Sequence, residues 1–148
     1  MSGLRRIEDC LKEEGVYVGI TKGVSMRPML RAGRDTILIS PPTGRLKKYD
    51  VPLYRRGEDY VLHRVVEVRE KDYVICGDNC PNKEYGITDA QIVGVLSGFR
   101  RGQRYVAIDS AFYRGYAKLW VALYPIRRVW IRFRSFGGRC FRKIFRRK

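Results

Sequence analysis

The sequence predicts a mainly β fold, a bent antiparallel structure preceded by a short N-terminal helix and followed by a basic helical tail. Three observations predict it. Between residues 16 and 108 the segments "VYVGI", "DTILIS", "DVPLYRR", "DYVLHRVVEV", "DYVICG" and "IVGVLSGF" are rich in Val, Ile, Leu and Tyr and are separated by Gly, Pro, Asp and Asn, the composition and punctuation of strands. From Ala111 the apolar residues recur in alternating steps of four and three, which is helical spacing. No Asp or Glu follows Asp109, whereas Arg and Lys continue to the end.

The N-terminal segment, residues 1–15, contains "SGLRRIEDCLKEEG", with Ser2 as a cap, Leu4, Ile7, Cys10 and Leu11 on one face and Gly15 as a stop. Residues 16–108 form the β body. In the tail, residues 109–148, Phe112, Tyr116, Leu119, Leu123, Ile126, Trp130 and Phe133 mark one helical stripe. Pro125 is expected to interrupt that helix and "FGG" to end it.

A length of 148 residues suits one domain, and 45% hydrophobic with 31% charged residues excludes a disordered chain. The net charge of +16 implies an anionic partner, because self-repulsion of that size does nothing for a compact state. Cys10, Cys76, Cys80 and Cys140 lack paired CxxC spacing, and His63 is the sole histidine. A metal site would need nearly all sulfur, so the thiols read as reduced and structural and no metal or cofactor is implied. Residues 4–14 are charged throughout, unlike a signal peptide, and the longest uncharged stretch of the tail runs only from Leu119 to Ile126, too short to span a bilayer. The expected location is cytoplasmic or peripheral on a membrane.

Three polar residues carry the chemistry. Ser25 sits in "GVSMRPML", His63 in "YVLHRVVEV" and Asp78 in "VICGDNC". A hydroxyl becomes a nucleophile when a base takes its proton and a third group holds that base in the right tautomer. Singly, each has a plainer reading: a turn serine before proline, a strand histidine within a core, and a turn carboxylate.

In order, "SMRP", "YDVPLYRR", "VLHRVVEV" and "CGDN" resemble the signal peptidase superfamily of serine proteases, which also contains self-cleaving repressors. The resemblance covers residues 16–99 and is to the branch with histidine in "HRV", that of the endoplasmic-reticulum type. It implies the signal peptidase catalytic-domain type of β fold and a serine endopeptidase that removes a leader or signal segment. By that resemblance Ser25 is the nucleophile, His63 the general base and then acid, and Asp78 the orienting carboxylate. Glu84 stands where the branch has a second acid, and the Ser25 amide is the oxyanion donor. Gly23 departs from the family, which often has a hydroxyl there. The resemblance also implies a substrate bound as an extended strand, in a groove to which Met26 contributes; its other reading is core. The alternative function is a regulatory binding module like the repressor C-terminal domains, self-cleaving or non-catalytic.

For the tail, with Trp120, Trp130, Phe133 and Phe136 as apolar anchors among cations, an anionic membrane surface along residues 112–148 is the favoured partner. A solvated basic face on a packed terminal helix comes next, and nucleic acid after it.

Overall fold

The computed structural model describes residues 6–145, with side chains to residue 136; the expected cap Ser2 and Leu4 lie outside these residues. Helix α1 (Ile7–Glu14) ends where Gly15, at φ 70°, returns its amide to the Leu11 carbonyl. Nine strands follow among the described residues: β1 (Tyr17–Ile20), β2 (Asp35–Ser40), β3 (Pro52–Arg56), β4 (Asp59–Leu62), β5 (Arg64–Val68), β6 (Tyr73–Cys76), β7 (Glu84–Ile87), β8 (Ile92–Arg101) and β9 (Arg104–Ala107). Helices α2 (Ala111–Ala122) and α3 (Tyr124–Phe145) close the chain. The fold is mainly β, its strand pairs all antiparallel.

The strands form two sheets. The larger runs β1-β2-β8-β3-β4, with β9 also paired to β8; the smaller runs β5-β6-β7. Long β8 is the spine of the larger sheet, and register shifts at Leu38/Ile39 and Leu53/Tyr54 bend it, as an extra residue in one strand of a pair must. Leu11 of α1, Met29 and Leu30 after the serine turn, Ile37, Ile39, Leu53, Leu96 and Phe99 of the sheet, and Tyr113 of α2 share one core.

Strand β6 is buried along its whole length because its two faces meet different neighbours. Tyr73 and Ile75 join Tyr54, Val65 and Ile87, whereas Val74 and Cys76 join Val66 against Val121 and Tyr124 at the α2–α3 junction. The tail is therefore a structural cover for the small sheet. Ser110 caps α2 by accepting from the Tyr113 amide, a contact whose removal costs about 1 kcal/mol.

Proline interrupts the tail as expected, since α2 ends at Ala122 and α3 carries Pro125 in its first turn, where its missing amide hydrogen does no harm. The expected stop at "FGG" is corrected: α3 continues through Gly137 and Gly138 to Phe145. Each helical glycine costs only about 1 kcal/mol relative to alanine, and neither is a barrier.

One buried ion pair ties these elements together. Arg64, fully buried at the start of β5, donates from Nε and Nη2 to the two carboxylate oxygens of Asp78, each at 2.8 Å. It also donates to the Tyr49 carbonyl at 3.2 Å and the Tyr113 hydroxyl at 3.1 Å. Tyr116 adds a hydroxyl donor to Asp78 at 3.0 Å. The pair thus clasps the loop after β6, the loop before β3 and helix α2. Arg64→Met, which strands the carboxylate, is expected to destabilise the fold by about 3–5 kcal/mol in urea unfolding, and Arg64→Met with Asp78→Leu to regain part of that loss.

Candidate functional site

The chain leaves the large sheet at Leu62 and enters the small one at Arg64, so His63 lies on the seam between them. The segment expected to be one strand through the histidine is two strands that break there. His63 is 6% exposed, and its Nδ1 lies 3.1 Å from Glu84 Oε1 and 3.2 Å from the Tyr54 hydroxyl. A carboxylate only accepts, so Nδ1 carries the proton and Nε2 keeps its lone pair. Burial pushes the imidazole below its ordinary value; the Glu84 carboxylate pulls the other way and is outweighed. The ring is consequently neutral at pH 7, the form a general base requires.

Ser25 lies in the turn after β1. Its carbonyl accepts from the Asn79 amide at 2.7 Å, and the Val24 carbonyl accepts from Asn79 Nδ2 at 3.2 Å. The "GDN" loop is thereby stitched to the serine turn. Gly77 sets how closely: a Cβ there would stand 2.8 Å from the Ser25 carbonyl oxygen, 3.0 Å from His63 Cδ2 and 2.6 Å from Cys80 Sγ. Cδ2 is bonded to Nε2, so Gly77 packs close both to the Ser25 carbonyl and to the corner of the imidazole next to its free lone pair. Among the described residues no hydrogen bond joins Ser25 Oγ to His63, and no backbone carbonyl accepts from the Ser25 amide. That amide is open to an oxyanion. Gly23 adopts φ 79°, left-handed backbone that a residue bearing a hydroxyl enters only with strain.

The structure divides the expected acids differently from the sequence reading. Asp78, expected to orient the imidazole, spends both carboxylate oxygens on Arg64 and Tyr116, and its carbonyl accepts from Trp120 Nε1 at 3.0 Å and from Arg127. The carboxylate on His63 is that of Glu84, the first residue of β7; Arg56 holds the same oxygen at 3.2 Å. Met26, expected in a substrate groove, is 5% exposed and belongs to the main core, because the turn folds its side chain under the sheet. Trp120, expected as a membrane anchor, is turned onto the Asp78 loop.

Sequence reasoning missed Tyr54, Gly77 and Cys80. Tyr54 sits in the buried run of β3, and nothing in its neighbours marks it as an imidazole partner. Burial raises the Cys80 thiol, with the Glu84 charge adding to the shift, and burial pushes Cys76 up to about 12. Both remain protonated at neutral pH, which leaves them poor nucleophiles.

A cavity of about 530 Å³ lies beyond the serine turn, between Pro28, Met29, the β8–β9 hairpin and α2, and touches none of Ser25, His63 or Glu84. No family model matches the chain, and no curated protein is significantly similar to it.

Two expected outcomes follow from this geometry. Gly77→Ala drives a methyl group into the Ser25 carbonyl, so the loop lifts off the serine turn at a cost of about 1–3 kcal/mol, measurable as a lowered urea midpoint. For His63 the neutral form is favoured by folding, so its contribution to stability is complete above its unfolded value of about 6.5 and is lost as pH falls through the lower folded value. Glu84→Gln removes the charge that holds the folded value up, and the imidazole titration followed by NMR is expected to move to lower pH still.

Proposed function

We propose that the chain is a serine endopeptidase that removes a leader or signal segment from a peptide or protein. Ser25 is the nucleophile, His63 the base and Glu84 the carboxylate that orients it. The observation that carries this reading is the loop at Gly77, which packs close to both the Ser25 carbonyl and the Cδ2 corner of a neutral imidazole whose other nitrogen meets a carboxylate. The motif order of the "SMRP", "HRV" and "GDN" segments supports it, as does a β body with a short N-terminal helix.

The chemistry uses only these groups. His63 Nε2 takes the Ser25 hydroxyl proton as Oγ attacks the scissile carbonyl carbon, and the Ser25 amide donates to the oxyanion. The imidazolium, stabilised by Glu84, then gives the proton to the leaving amine. Water, deprotonated by the same nitrogen, hydrolyses the acyl-serine and restores the site. Asp78 is a positioning residue that fixes the loop through Arg64.

Among the described residues strand β1 pairs only with β2, and its outward side chains Val18 and Ile20 are exposed. Its open edge leads into the serine turn and suits an extended peptide added as a further strand. The missing hydrogen bond between Ser25 and His63 favours a second reading, a binding module that holds a peptide without cutting it.

A serine-directed acylating probe followed by mass spectrometry separates the two. The expected adduct is on Ser25, not Cys80, and disappears in Ser25→Ala and His63→Ala. Glu84→Gln is expected to slow labelling by roughly a hundredfold or more, whereas Asp78→Asn lowers stability first. A folded protein that takes no label overturns the peptidase reading and leaves the binding module.

A further inference from the structure

Helix α3 has two faces of opposite use. Towards the body, Tyr124 donates to the Pro81 carbonyl at 2.8 Å and buried Arg127 donates to the Asp78 carbonyl. On the far side Ile126, Val129, Trp130 and Phe133 are 70%, 55%, 57% and 75% exposed. At 100° per residue these four fall within an arc of about 100°. Arg132 borders the arc on one side, its Nη2 also donating to Asn82 Oδ1 at 3.4 Å, and Arg134 borders it on the other, its guanidinium 4.9 Å above the Trp130 ring. In α2, exposed Phe112 and Leu119 lie seven residues apart, on the side away from buried Tyr113 and Ala117.

We propose that this outer face lies in the plane of an anionic lipid surface, with the apolar stripe at the acyl boundary and the bordering arginines at the headgroups. The inference does not depend on the chemistry at Ser25. Three features select this occupant. A helix with an apolar stripe edged by cations on both sides matches the layering of a bilayer interface, and long arginine side chains reach the headgroups from its edges. Ile126, Val129 and Leu119 are aliphatic, so bases have nothing to stack on along much of the stripe. A second copy would bring a segment without Asp or Glu after Asp109 against its own like, and the repulsion opposes pairing. No helix among the described residues is long and apolar enough to cross a membrane; the surface arrangement asks for none. Because Arg127 faces inward, lipid on the outer face leaves its bond to the Asp78 loop intact.

The test is flotation of the full chain with vesicles of phosphatidylcholine alone and of phosphatidylcholine doped with phosphatidylglycerol. The protein is expected to float with the anionic vesicles and to stay behind with the neutral ones. Trp130→Glu with Phe133→Glu is expected to weaken partition at least about tenfold, since burying either ring contributes more than one decade of binding, with thermal unfolding unchanged because both rings are exposed. Flotation of the double variant equal to wild type overturns the proposal, as does wild type that binds neither vesicle. If a single-stranded oligonucleotide strips the protein from vesicles and the double variant binds that oligonucleotide undiminished, the cations serve nucleic acid and the proposal also fails.

Discussion

The Arg64–Asp78 pair is the constraint on which the rest depends. Two charges with almost no solvent contact are tolerable only when their remaining donors and acceptors are matched, and the matching partners come from two other segments: Tyr49 before β3, and Tyr113 and Tyr116 from α2. Tyr49 itself stands at φ 82°, a conformation that costs a non-glycine residue energy; its amide bonds to the Val65 carbonyl and its carbonyl receives Arg64. Desolvation disfavours the guanidinium, and the Asp78 carboxylate overrides it, so the charge on Arg64 is held still more firmly. The Asp78 carboxylate is held toward Arg64 and Tyr116 and makes no hydrogen bond to the imidazole. That is why Asp78 and Glu84 divide their work, one fixing the loop and the other addressing the histidine.

From this division the site is assembled by backbone rather than by side-chain reach. The chain changes sheets at His63, so its side chain projects at a junction that three strands approach, β3 with Tyr54, β7 with Glu84 and the end of β6 with Gly77. Asn79 then ties that junction to the turn after β1. Ser25 and His63 are far apart in sequence, one in the turn after β1 and the other between the two sheets. A single short loop, lacking a Cβ at Gly77, packs close to both the serine turn and the imidazole.

Much of the body was legible because its strands alternate or run apolar between turn residues. The pattern in "DTILIS" became β2 with every second residue buried. Strands β7 and β9 were not legible, since "EYGI" and "RYVA" are short, polar-flanked and largely exposed, and their pairing comes from the neighbours they find. The break at His63 was hidden for a different reason: "YVLHRVVEV" has strand character on both sides, and only tertiary pairing assigns the two halves to different sheets. Ser25, His63 and Glu84 were readable as chemistry, but nothing local tells which acid reaches the imidazole. That depends on Arg64, whose burial no charge count reveals.

The tail shows the same limit in a helical setting. Periodicity found the stripe Phe112, Tyr116, Leu119, Leu123, Ile126, Trp130 and Phe133, yet the face applied to the body is the adjacent one, Tyr113, Ala117, Trp120, Tyr124 and Arg127, with Tyr116 of the stripe turned inward beside it. It is built of polar aromatics and a cation because the surface it meets offers a carboxylate and backbone carbonyls. Tyr116 and Trp120 stack at 5.6 Å, and Arg127 sits over Trp120 at 5.1 Å, so the hydroxyl, the indole and the guanidinium reach the loop from one rigid row. A purely aliphatic face would have covered Val74 and Cys76 equally well, but it would have removed the Tyr116 donor from the Asp78 carboxylate and left the Asp78 carbonyl without Trp120 and Arg127, at about 1–3 kcal/mol for each buried acceptor left unpaired. The polarity of the loop therefore dictated which face turned inward, and the more hydrophobic stripe was left facing out.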